Sequence, residues 1–233
     1  MKFSIFLITY KNDANDLENI LNRLYKHTKQ LYNLIIIDNN EDQNDKDNVY
    51  KLYNESPIVN KKLLMNGENL RACKSTNKAL KLIDTEYAIY LCSRHSFIVN
   101  DSWENDCLDY MNNNKNVGIA GSSWELTDKY WNIVSKSLPL FRNKEWYKTQ
   151  ENFKFFHVQG GFYILRMKMF NEIGGFNEEA FEHNGMDFEY SYYAQSKGWD
   201  LGNLDFIQSY DQNIKKNLFN NKIKIYHPTI PKE

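Results

Sequence analysis

The sequence predicts an α/β domain with a parallel central sheet and helices on both of its faces. Two observations carry that expectation. Short apolar runs of the kind buried strands show alternate four times with segments whose apolar residues recur at helical spacing. Each run also stops abruptly at a cluster of polar residues, where an open parallel sheet presents its ligand-binding carboxyl ends.

Residues 3–8 are nearly all apolar, as in a strand buried on both faces, and end in Thr9-Tyr10-Lys11-Asn12. Asp13 can cap the helix that follows, in which Leu17, Ile20, Leu21 and Leu24 share one face. Leu34 to Ile37 is a second buried strand, stopped by Asp38-Asn39-Asn40. A polar helix comes next, then a third strand from about Ile58 to Leu64, ended by Asn66-Gly67-Glu68-Asn69. Ala72, Thr76, Ala79, Leu80 and Ile83 form another helical face, and Tyr87 to Leu91 is the fourth strand. Such alternation implies right-handed crossovers. Asp38, at a strand end, can hold a ribose or a base edge, or it can cap the next helix; its position alone leaves both open.

Composition narrows the function classes. A chain of 233 residues buries one substantial core, and nothing in it resembles a Gly-, Pro- or Ser-rich linker, so one domain is expected. With 29 Lys and Arg against 30 Asp and Glu, the net charge of -1 makes no electrostatic case for nucleic acid. No apolar run reaches bilayer length and the first residues turn polar too soon for a signal peptide, so the expected location is the cytoplasm. Cys73, Cys92 and Cys107 are odd in number and lack Cys-x-x-Cys spacing, which points to buried free thiols. No Gly-x-Gly-x-x-Gly turn follows the first strand and no phosphate-binding Gly-rich loop ends in Lys-Ser or Lys-Thr, which counts against dinucleotide oxidoreductases and P-loop enzymes.

The later half is organised around residues 157–199. Two Gly-Gly-Phe corners, Gly160-Gly161-Phe162 and Gly174-Gly175-Phe176, flank a short apolar run, and Asp187 and Glu189 open a helix closed by Gly198. A carboxylate on a first helical turn is kept ionised by the helix dipole, a setting that suits a general base and equally suits a cap. Glu189, two residues on, points elsewhere on the helix and reads as structural or as a secondary ligand. Residues 121–156 hold many aromatics, among them Trp124, Tyr130, Trp131, Phe141 and Trp146, whose faces suit a sugar ring, a core or a dimer contact. The basic stretch from Lys215 to Lys224 permits a weak membrane-surface contact, although a solvated face is the commoner use of such charges.

The order of Thr9-x-x-Asn12, Asp38, an Asn-rich turn into a helix ending near Asn77, a fourth strand, Ile173-Gly174-Gly175-Phe176-Asn177, and Asp187-x-Glu189 ahead of Gly198-Trp199 resembles the family 2 glycosyltransferases of the GT-A fold over about residues 3–200. The resemblance implies one GT-A domain over 1–233, with a nucleotide-sugar half at about 1–100 and an acceptor and catalytic-base half at about 101–233. Its sheet would be Rossmann-like, mostly parallel, with a small antiparallel acceptor-side portion. The implied activity is inverting transfer of a sugar from a nucleotide-diphosphate donor, a UDP-sugar by default, to a hydroxyl of a glycan or glycoconjugate. By the same resemblance Asp38 contacts the nucleobase, and Thr9, Tyr10 and Asn12 lie near the nucleoside. Asn69, Arg71 and Asn77 border the donor pocket, Asp187 is the base, and Gly160, Gly161, Trp124 and Glu189 lie on the acceptor or donor-sugar side.

Three departures from the family pattern matter. Where relatives carry a metal-binding Asp-x-Asp after the fourth strand, this chain has Cys92-Ser93-Arg94, which offers a hard Mn or Mg ion no carboxylate. Arg94 can itself neutralise the donor diphosphate, His95 and His227 can bind a softer metal, or catalysis is lost and a sugar-nucleotide or glycan-binding protein remains. Arg71 stands where relatives have the Gly of Asn-x-Gly, as a phosphate contact or a solvated helix-start residue. Met186 replaces the acid that commonly precedes the base.

Overall fold

The computed structural model describes residues 1–11, 14–92, 98, 101–125, 136, 138–148, 156–182, 185–204 and 224–226. Its first half follows the expected alternation: β1 (Phe3–Thr9), α1 (Ala14–His27), β2 (Asn33–Asp38), α2 (Gln43–Glu55), β3 (Lys61–Met65), α3 (Arg71–Leu80), β4 (Tyr87–Leu91) and α4 (Trp103–Asn113). β5 (Val117–Glu125), β6 (Phe156–Arg166), α5 (Met167–Ile173), α6 (Met186–Ser196), β7 (Asp200–Asn203) and β8 (Lys224–Tyr226) complete it. Between β5 and β6 lie a 3-10 turn, Leu138–Leu140, and one helical turn, Glu145–Lys148.

The strands form a single sheet in the order β3-β2-β1-β4-β6-β5-β7-β8. β1 to β4 pair in parallel, whereas β6 runs antiparallel to both β4 and β5, so the sheet reverses direction at β6. Residue alternation explains why both faces are covered. Phe3, Ile5, Leu7, Leu34, Ile36, Tyr87, Ile89 and Leu91 point into one core, which they share with Leu17, Leu24, Val49 and Trp103 from α1, α2 and α4. Phe6, Ile35, Ile37, Ala88, Tyr163 and Leu165 point into the other, against Leu80, Met169, Tyr190 and Ala194 from α3, α5 and α6. Arg166, buried at the end of β6, donates to the carbonyls of Met111 at 2.7 Å and Asn114 at 3.3 Å, closing the C-terminal end of α4.

The third strand starts later than the apolar pattern suggests. Pairing with β2 begins at Lys61, not near Ile58, because Pro57 has no N–H and Ile58 is buried by packing before any ladder forms. Cys73 and Cys107 are buried free thiols and Cys92 is half-buried. Among the described residues no helix is long and apolar enough to cross a membrane.

The β5–β6 ladder contains the irregularity that makes the site. Gly121 pairs with Tyr163 and Ser123 with Val158, so residue 122 alone faces residues 159–162 of β6. The surplus residues bulge out and free backbone groups from the ladder. Gly121 is required there because a Cβ would lie 2.2 Å from the Phe162 carbonyl oxygen, which is backbone and cannot give way. Gly121→Ala is therefore expected to destabilise the fold by about 1–3 kcal/mol, read as a lowered urea midpoint; an unchanged midpoint would show that the bulge tolerates a side chain.

Candidate active site

At the carboxyl end of β2, Asp38 is fully buried. Its Oδ1 accepts from Thr9 Oγ1 at 2.8 Å, from Asn40 Nδ2 at 2.7 Å and from Asn40 N at 3.3 Å. Its Oδ2 has no hydrogen-bond partner among the described residues. Burial raises the carboxyl pKa, and the hydrogen bonds from Thr9 and Asn40 oppose that rise. The capping alternative for Asp38 falls away, since α2 is capped by Asp42, whose Oδ1 accepts from Asn44 N at 2.8 Å and Asp45 N at 3.2 Å. Neighbouring strand ends are tied into the same cradle: Asn40 Oδ1 accepts from Lys11 N at 2.5 Å, and Asn39 Oδ1 accepts from Asn66 Nδ2 at 2.7 Å and Ser75 Oγ at 2.9 Å. Tyr10, half-buried, lies beside this group at the end of β1 with Lys11 Nζ over its ring.

Asn69 and Arg71 shape the start of α3. Asn69 Oδ1 accepts from Arg71 N at 2.9 Å, and Arg71 has φ +61°, a left-handed conformation that glycine adopts freely and other residues hold at about 1–2 kcal/mol. The Arg71 guanidinium pairs with Glu182 at 3.2 Å on the surface. Asn77 is an anchor between the halves of the chain: its Nδ2 donates to Phe176 O at 2.8 Å and Glu178 Oε1 at 2.7 Å, and its Oδ1 accepts from Phe176 N at 2.8 Å. Gly175 must be glycine because a Cβ there would meet Asn77 Oδ1 at 2.3 Å, while Gly174 supplies the turn with φ +84°.

Asp187 sits in the first turn of α6, behind Gly185 as the N-cap at φ +90°. Its Oδ1 accepts from Phe188 N at 3.0 Å and its Oδ2 from Gly160 N at 3.0 Å, the latter an amide released by the β6 bulge. A Cβ built on Gly160 would touch only Asp187 Oδ2, at 3.6 Å, among the described residues. Among the described residues, none other than Asp187 fills the space beside Gly160 in front of this carboxylate. Gly161 carries its carbonyl to Cys92 N at 2.9 Å, joining the bulge to the end of β4.

The ring of His157 stacks on Phe188 at 3.7 Å between centroids. Burial lowers the imidazole pKa to about 4, against the pull of the Asp187 charge. Met186 is buried in the core beneath this turn. Glu189 has no exposure at all and is held by Arg142, with Nε to Oε1 at 2.7 Å, Nη2 to Oε2 at 2.8 Å and the Arg142 amide to Oε1 at 3.1 Å. Both of its oxygens are engaged by protein groups, so the helix side that carries Glu189 faces inward while Asp187 faces the bulge.

The structure thus brings Thr9, Tyr10 and Asp38 together at one set of strand ends, and Gly160, Gly161 and Asp187 at the β6 bulge. Trp124 lies in β5 opposite His157 in the ladder, but its side chain, like Asn12, Arg94, His95 and His227, is outside the described residues. Arg142 is a site-forming residue that motif reading misses, while His157 and Asn40 lie in stretches the sequence singles out but carry no role there. Arg142 has no spacing signal, while His157 and Asn40 adjoin the recognised Gly-Gly-Phe and Asp38 positions.

A model of glycosyl transferase family 2 matches residues 4–174, and the chain belongs to that family. No curated protein matches it in sequence. Its fold is similar to a mannosyltransferase, PcManGT, from Pyrobaculum calidifontis in complex with GDP-Man and Mn2+, with a TM-score of 0.59 at 14% identity over 84% of this chain and 51% of that one. It is similar as well to GalNAc-T7 with UDP, GalNAc and Mn2+ (TM-score 0.61, 14% identity, 86% of this chain and 41% of that one). A third likeness is to S. aureus TarS (TM-score 0.54, 19% identity, 83% and 33%). The chain spans between about a third and a half of the length of these structures. The GT-A fold expected from the sequence is the fold observed.

His157 also makes stability depend on pH. The unfolded chain takes up a proton on this ring near pH 6.5, whereas the native protein resists it down to about 4. Stability is therefore full above pH 6.5 and falls through that window, by at most about 3 kcal/mol. His157→Phe, which keeps the stack on Phe188, is expected to remove this part of the decline when urea midpoints at pH 7 and pH 4.5 are compared. An identical decline in both proteins would contradict it.

Proposed function

We propose that the chain is an inverting glycosyltransferase in which Asp187 is the general base, with a UDP-sugar as donor and a glycan hydroxyl as acceptor. The observation that carries this reading is the Asp187 carboxylate, held on one side by the Gly160 amide at 3.0 Å, with no other described residue filling the space beside Gly160. In the reaction the acceptor hydroxyl gives its proton to Asp187 as its oxygen attacks the anomeric carbon; the bond from that carbon to the diphosphate oxygen breaks, and the nucleoside diphosphate departs from the opposite face. Asp38 Oδ2 supplies an acceptor for a base-edge N–H such as the imide of uracil, with Thr9 and Tyr10 beside the nucleoside. The complexes of GalNAc-T7 with UDP and of PcManGT with GDP-Man support a nucleotide-sugar donor.

A hard divalent cation does not fit the residues at the end of β4. Leu91-Cys92-Ser93-Arg94 holds no carboxylate, and the described residues contain no group of three His, Cys, Asp or Glu close enough to bind an ion. From its place in the sequence, Arg94 is the group assigned to the charge of the leaving diphosphate, since a guanidinium makes fork-shaped bonds to phosphate oxygens. The same replacement favours a second reading, a sugar-nucleotide-binding protein without turnover. Release of UDP from a panel of UDP-sugars separates the two, because a binding protein releases none.

Asp187→Asn is expected to lower transfer by about 10²–10⁴-fold with the fold intact; normal turnover in that variant would overturn the mechanism. Activity is expected to persist in EDTA and to be lost in Arg94→Ala, while full activity in Arg94→Ala would remove Arg94 from the reaction. Gly160→Val is expected to fold and to lose transfer, since its side chain would fill the space before Asp187 Oδ2, and wild-type rates would show that no substrate passes there.

A further inference from the structure

Arg142 lies outside every sequence motif, between the 3-10 turn Leu138–Leu140 and the helical turn Glu145–Lys148. Its side chain nevertheless joins three pieces of the site. The guanidinium forks onto both Glu189 oxygens at 2.7 and 2.8 Å, its Nη1 donates to Gly175 O at 2.9 Å, and its face lies 3.9 Å above the Tyr193 ring. The partner surfaces are themselves rigid: Tyr190 OH donates to Gly174 O at 3.0 Å, Phe176 stacks on Tyr190 at 4.1 Å, and Asn77 grips Phe176.

Energy alone does not account for this pair. Taking Glu189 out of water is expensive, and an apolar filler of similar volume commonly stabilises as well or better than a buried ion pair. What a fork of two parallel hydrogen bonds adds is orientation. Glu189 is the right residue for that purpose. Its amide donates to Gly185 O at 2.9 Å and so closes the turn of α6 that carries Asp187. Fixing the Glu189 carboxylate fixes the pitch and rotation of that turn, and with it the reach from Asp187 Oδ2 to the Gly160 amide. A lateral slip of the turn would leave the fold standing and the base out of place.

We propose that Arg142 is a positioning residue for the Asp187 carboxylate, acting through Glu189 and the Gly175 carbonyl; its catalytic consequence rests on Asp187 being the base. The Gly160 amide is a reporter of the base position that needs no substrate. With the full chain labelled on glycine nitrogen, at most ten amide signals arise, and loss of one in Gly160→Ala assigns it. Asp187→Ala sets the signal of a Gly160 amide without its acceptor. In Arg142→Lys, and in Glu189→Gln should the lysine variant fail to fold, the Gly160 signal is expected to move toward the Asp187→Ala position while Gly67 and Gly202 stay. A Gly160 signal unmoved in both variants, with the Gly175 signal shifted, overturns the inference and leaves the base assignment untouched. With UDP-glucose as probe, the same variants are expected to lower the kcat for UDP release by about 10–100-fold with donor KM unchanged. A raised donor KM with unchanged kcat also overturns the inference, whereas normal turnover of Asp187→Asn overturns only the base assignment.

Discussion

The hydrogen bond from the Gly160 amide to Asp187 Oδ2 is the contact on which the rest of the site depends. A strand amide ordinarily belongs to its ladder, and this one is available because four residues of β6 face one residue of β5. β6 is also where the sheet turns from parallel to antiparallel. The bulge consequently lies next to the end of β4, through Cys92 N to Gly161 O, and carries the Asp187 carboxylate on its Gly160 amide.

A chain with almost balanced charge buries several ionisable groups and treats each differently. Glu189 is matched fully by Arg142, an arrangement that trades stability for orientation. Asp38 is satisfied on one oxygen by Thr9 and Asn40, and burial raises its pKa. His157 is kept neutral by burial beside Asp187. Two acids only two residues apart on α6, Asp187 and Glu189, thus have opposite tasks, one directed at the open bulge and the other locked inside.

Much of the fold was legible because its elements obey simple periods. The continuous apolar runs of β1, β2 and β4 report strands buried on both faces, and the helical faces of α1 and α3 each report one buried side. Boundaries were less legible where burial occurs without pairing, as at Ile58. The Gly-Gly-Phe corners were visible, but the separate reason for each glycine was not. Gly174 has positive φ, Gly175 makes way for Asn77, and Gly160 has only the Asp187 carboxylate beside it among the described residues. Asp38 could not be told from a cap until Asp42 was seen in that role. Arg142 was out of reach because its partners, Glu189 and Gly175, are brought to it only by tertiary packing.

The chain belongs to glycosyl transferase family 2 and carries Cys92-Ser93-Arg94 after its fourth strand. The proposed inverting transfer is a single displacement, with a base on one face of the sugar and the leaving group on the other. The stereochemistry of donor hydrolysis tests it most directly: proton NMR of the sugar first released from an α-linked UDP-sugar, before mutarotation. Inversion releases the β-anomer. Release of the α-anomer would mean that the configuration is retained and would contradict it.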